Sequence, residues 1–198
     1  MPHRKDLEDY AAAERLVDAA TSASNEAASG DLMEQAHRLL LPLVERRLPA
    51  AQYLYACYFL SREYKRAKEI EPRFIELIQA SARAGHAAAQ FRLGQMLDRG
   101  GELGHNAQQS ARWFRLSAEQ GYAYAQWVHG LNLLFGTGLQ KDETLGLQFI
   151  ERAAAAKLEG VLAFLADAYA AGKYGYPKDE EKAAAFRQRL QAPDVIGF

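Results

Sequence analysis

A small residue recurs along this chain at nearly constant intervals: Ala56, Gly94, Gly130 and Ala166, spaced 38, 36 and 36 residues apart. Three residues after each stands a large apolar one (Phe59, Leu97, Leu133, Tyr169), and six after each comes Arg62, Gly100, Gly136 or Gly172. A period of this size predicts supersecondary units that must stack, because one unit is too small to bury its own apolar face. Composition sets only the outer bounds. With 49% hydrophobic and 25% charged residues in 198, the chain can bury a sizeable core and is not globally disordered.

Each unit reads as two helices. The first carries apolar residues at helical spacing, such as Phe91, Leu93 and Leu97 or Trp127, Leu131 and Leu134, and stops at glycine. A short loop follows ("GGELGHN", "GTGLQKD", "GKYGYPKD"), and Asn106, Asp142 or Asp179 then caps a second helix. In the first unit Glu71-Pro72 opens that helix, with proline where a missing N–H is harmless. Ala111, Gly146 and Ala183 of the second helices each precede an aromatic by three: Phe114, Phe149 and Phe186. These helices are expected to end near Gly85, near Gly121 and at a slipped "AAAAKLEG", where by period Lys157 occupies the glycine slot and one inserted residue in the alanine run is taken as the cause. The small residues have a steric reason: the two helices of a hairpin approach closely only where a side chain is nearly absent. A bulky residue at Gly130 should overpack that contact.

Leu93-Gly94-x-x-Leu97-x-x-Gly100, its counterpart at 129–136 and Leu165-Ala166-x-x-Tyr169-x-x-Gly172 resemble the Sel1-like repeat, a longer-looped relative of the tetratricopeptide repeat. The loops "GTGLQKDETLGLQF" and "GYPKDEEKAAAF" look like the same family's loop-to-second-helix segment, and "SGDLMEQAHRLLLPLVERRLPAAQYL" like an opening half-repeat. The resemblance covers residues 30–190 and departs from the pattern in the first unit, where Arg62 replaces glycine and the loop "SREYKRAKEIEP" is charged. It implies an all-α fold: a right-handed α/α solenoid of four helical-hairpin repeats behind an N-terminal capping helix. The expected division is a cap over 1–30, the repeat solenoid over 31–192 and a tail, within "APDVIGF", over 193–198.

The chemistry-bearing residues are sparse. Apart from His3, three residues before Asp6, none of the histidines (His37, His86, His105, His129) has a Cys, Asp or second His at ligand spacing, so no metal site is expected. His129 takes a slot that leucine fills at 93 and 165 and should be an interior, hydrogen-bonded histidine. The glycine-rich loops lack the preceding strand that a phosphate cradle needs, so no nucleotide cofactor is expected. Cys57 lies among aromatics and reads as structural; a lone cysteine excludes an internal disulfide framework. No catalytic residue is assigned.

A formal net charge of -1 implies no attraction to nucleic acid or to an anionic membrane, and no apolar run is long enough to span a bilayer. The charged start MPHRKDLEDY leads into no apolar signal core, which makes the cytoplasm the expected compartment. In the register of tetratricopeptide repeats, the first helices would line a concave groove with Tyr53, Phe91, Gln95, Asp98, Trp127, Leu131 and Asp167, alongside Cys57, Leu60, Leu134, Ala163 and Ala170. An aromatic ladder with polar neighbours suits a peptide or a partner's helix. Trp113 is one aromatic more than the pattern needs; it packs between units or anchors a partner or a second copy, so a homodimer stays open. The expected function is a non-catalytic scaffold or adaptor, with an inhibitor or immunity-type protein as the alternative and a hydrolase behind both.

Overall fold

The computed structural model of the chain describes residues 2–60 and 72–191. Arg62, the charged run to Glu71 and the tail expected over 193–198 lie outside the described residues. Every regular element among the described residues is helical: α1 (Arg4–Ser22), α2 (Glu26–Glu45), α3 (Pro49–Tyr55), α4 (Pro72–Arg83), α5 (Ala87–Arg99), α6 (Ala107–Glu119), α7 (Ala123–Phe135), α8 (Glu143–Ala153), α9 (Glu159–Ala171) and α10 (Glu180–Gln191). The fold is an all-α solenoid of helical hairpins. Its chain packs as two compact units, Met1–Leu93 and Gly94–Phe198.

In the first unit α1 lies along α2, and Ala13, Val17 and Ala20 are buried with Met33, Ala36, Leu40 and Leu43. The sequence reading puts one helix before residue 30. The break falls earlier, because Asn25 caps α2, its Oδ1 accepting from the Ala27 and Ala28 amides, and so commits residues 26–30 to the second helix. Arg46, just past the C-terminus of α2, reaches Asp6 near the start of α1 at 2.6 Å and closes that hairpin. Pro49 opens α3, and the Ser81 hydroxyl of α4 donates to its carbonyl at 2.7 Å. After Tyr55 the helix continues as a π-helical turn, Ala56–Leu60. A π turn holds more residues than an α turn. It falls in the unit whose spacing is 38 rather than 36.

The second unit shows the repeat plainly. The carbonyls of Leu97, Leu133 and Tyr169 accept from the amides of the cap residues Asn106, Asp142 and Asp179, each at 2.9 Å. The same three cap side chains accept from the amides of Gln109, Leu145 and Lys182 at 2.9, 2.9 and 3.0 Å. Each loop is thereby stapled at the point where its second helix begins. Between α7 and α8 the backbones themselves touch: a Cβ built on Gly130 would lie 2.7 Å from Ile150 Cγ1 and 2.8 Å from the Gly146 carbonyl oxygen, and one on Gly146 would lie 2.8 Å from the Gly130 oxygen. At Gly94 the same space is filled by the Phe114 ring, whose edge lies 2.7 Å from where a methyl group would sit.

One expectation about register is corrected. The end of α8 is not slipped by an inserted residue: Lys157, in the glycine slot by period, takes the left-handed conformation, φ 53°, that Gly85 (94°) and Gly121 (90°) take 72 and 36 residues earlier. A short 3₁₀ turn, Ala154–Ala156, tightens the helix end so that no inserted residue is needed, and Gly160 lies inside α9 instead. At the far end Arg189 of α10 donates to the Ala154 carbonyl at 2.6 Å.

Candidate functional site

The residues assigned to a binding face by register separate by exposure. Tyr53, Phe91, Gln95, Trp127 and Leu131 are half-buried, whereas Asp98 and Asp167 are exposed. Leu60 and Leu134, grouped with them on the same face, are buried and belong to the packing. Cys57 is half-buried in the π turn, and burial pushes its thiol up, away from the reactive thiolate. Tyr53 packs its ring 5.0 Å from that of His86, whose protonation burial disfavours.

In the second unit the structure gathers more than register indicates. Trp127 meets Phe164 edge-on at 5.1 Å; Phe164 stacks on Tyr174 at 5.1 Å and 19°; Tyr174 meets Phe135 edge-on at 5.8 Å. Phe135 is 55% and Tyr174 43% exposed, so this chain of four rings runs from the core to open surface. Trp127, Leu131, Phe164 and Ala170 rest on a core that includes Leu134, Ile150, Val161 and Leu165. Beside the rings opens a depression of about 430 Å³ lined by Phe164, Asp167, Ala170, Ala171, Lys173 and Tyr174. Trp127, Leu131 and Asp167 were legible from register; Phe135, Phe164 and Tyr174 were not. Large rings held at water are costly to leave uncovered and are typical anchors of recognition surfaces. Trp113 is half-buried.

His129 departs from its expectation. It is interior, 2% exposed, with Phe149 edge-on at 4.8 Å, but its Nδ1 is buried without a hydrogen-bond partner. Burial, and secondarily the positive charge of Arg115, pushes its pKa down to about 4 from 6.5, so the ring is neutral at neutral pH. Other histidine rings have polar partners: His37 Nε2 lies 3.1 Å from the Tyr55 hydroxyl, His86 Nδ1 accepts from the Ala89 amide at 3.3 Å, and His105 Nδ1 lies 2.7 Å from the Asp98 carbonyl oxygen. No three His, Cys, Asp or Glu side chains among the described residues come together as a metal site would require. Among the same residues no helix is long and apolar enough to cross a membrane.

Repeats, loop staples and small-residue contacts define a class, the hairpin solenoids. Residues 87–122, 123–158 and 161–186 each match the Sel1 repeat. In fold the chain is similar to the Sel1 repeat protein from Oxalobacter formigenes, with a TM-score of 0.76 and 19% identity over 94% of this chain and 72% of that one. It is also similar to c5321, a protective antigen present in uropathogenic Escherichia coli strains that displays an SLR fold, with a TM-score of 0.69 and 26% identity; the likeness covers 93% of this chain and 38% of c5321. No curated protein matches it. The chain belongs to the Sel1-like repeat family, whose repeats generally serve as protein-interaction scaffolds.

Proposed function

We propose that this chain is a non-catalytic adaptor of the cytoplasm that holds a peptide or a partner protein on the exposed flank of its first helices. In this reading Tyr53 and Phe91 serve in the first unit, and Gln95, Asp98, Trp127, Leu131 and Asp167 in the second, with α1 acting as the N-terminal cap. The observation that supports it is the run of four rings from Trp127 to Phe135, which ends 55% exposed at Phe135 beside an open depression. Rigid amphipathic rings bind at low entropic cost, since they have few torsions to freeze. No observation favours the inhibitor reading or a hydrolase over it.

The test is capture of the natural partner from the native host by the wild-type chain and by Trp127→Ala combined with Phe91→Ala. The double variant should lose the partner while its far-ultraviolet circular dichroism stays that of the wild type. Undiminished capture would move the site to the loops or to the second helices.

A further inference from the structure

Resting on that adaptor reading, we propose that the depression bounded by Phe164, Asp167, Lys173 and Tyr174 is a subsite for one arginine side chain of the partner, whose neighbouring acidic residue meets Lys173. The loop that makes it differs from the one before. From stapled carbonyl to stapled amide the chain runs nine residues between Leu133 and Asp142 but ten between Tyr169 and Asp179. The longer loop includes Tyr174, which adopts φ 57°, a left-handed conformation that a side chain this large rarely takes. Its ring stacks on Phe164 and meets Phe135 edge-on, and the residue still keeps 43% of its surface at solvent. A non-glycine outlier that displays an aromatic points to a recognition role.

The charges complete the argument. Asp167 stands on α9 three residues after Phe164, on the same flank of the helix, and Lys173 follows the helix end. Both are exposed, and neither is in an ion pair among the described residues. A guanidinium is planar and weakly hydrated: it lies on a ring face and presents a fork of N–H donors to a carboxylate. Lysine has no plane to stack, and an aliphatic side chain would cover Asp167 without pairing it. The opposite charge of Lys173 then calls for an acid next to the arginine.

The test uses the full chain, isotope-labelled, and the blocked peptide acetyl-Ala-Arg-Glu-amide, followed through backbone amide resonances up to tens of millimolar peptide. Saturating shifts at Ala170, Ala171 and Tyr174 are expected. The lysine and norleucine analogues, and the Asp167→Asn and Tyr174→Ala chains, should each bind about tenfold more weakly, the ratio one charge-assisted or stacking contact carries. Absence of shifts at those amides with the arginine peptide, equal shifts with the norleucine peptide, or full binding by Asp167→Asn would each overturn the subsite. The two readings fail separately. A chain that loses its natural partner on Trp127→Ala with Phe91→Ala but ignores arginine keeps the adaptor role and loses this subsite.

Discussion

Replacing Gly130 by alanine tests the closest contact of the fold, and two effects of opposite sign compete. Alanine relieves the backbone entropy that glycine gives up in a helix, which stabilises by about 0.5–1 kcal/mol. Against this, the new methyl would meet Ile150 Cγ1 at 2.7 Å, the Gly146 oxygen at 2.8 Å and the Ile150 amide nitrogen at 3.0 Å. Two of those three atoms are backbone and cannot rotate away, so α7 and α8 must part, loosening Leu133, Leu134, Phe149 and Ile150, all buried. Overpacking of this kind costs about 1–3 kcal/mol and sometimes more. A net loss of about 1–2 kcal/mol is the expected balance, or a midpoint lowered by about 2–4 °C per kcal/mol in thermal unfolding followed by circular dichroism. The internal control is Gly30→Ala. Gly30 lies inside α2 with nothing within 4 Å of its missing methyl, so the same exchange should raise the midpoint. Gly146→Ala added to Gly130→Ala should cost less than it does alone, because the helices have already separated. Equal and upward shifts for Gly130→Ala and Gly30→Ala would refute the claim that the two backbones touch.

Stability should also depend on pH through His129. Its pKa is lower folded (about 4) than unfolded (6.5), so the unfolded chain binds more protons between those values and stability falls as pH drops through that window. The full loss is about 3 kcal/mol, reached near the lower value. His129→Leu, the residue at 93 and 165, should flatten that slope relative to the parent in melts at a series of pH values; an unchanged slope would assign the effect elsewhere. Lys157→Gly should raise the melting midpoint, since a left-handed lysine costs about 1 kcal/mol that glycine avoids; a lower midpoint would show that the lysine side chain matters more.

The sequence revealed what the repeats share and concealed what one of them does alone. Gly94, Gly130 and Gly146 could be assigned to close contacts, and Asn106, Asp142 and Asp179 to caps, because each recurs with the period and each has one steric or hydrogen-bonding reason to be there. The ring cluster has no such echo. Phe164 corresponds to Arg92 and Val128 in the preceding units, and Phe135 to Arg99 and Ala171, so a reading that superposes the copies averages them away. Tyr174 sits in a loop one residue longer than its counterpart, where periodicity says nothing. Departure from the repeat was the signal available in the residues. Lys157 shows the converse: a lysine gives no local hint that its backbone will turn left-handed, yet the period puts it in the slot of Gly85 and Gly121, and the turn falls there.

The three staples from Leu97, Leu133 and Tyr169 isolate each connecting segment mechanically from the hairpin it joins. Because the entropy of closing such a segment grows only slowly with its size, residues can be added between the anchor points at little thermodynamic expense. The ten-residue interval at Tyr169–Asp179 shows nature already doing so, with its anchor bond still 2.9 Å. These intervals are therefore where new specificity can be grafted, by mutation or by design, without re-engineering the helices that carry it.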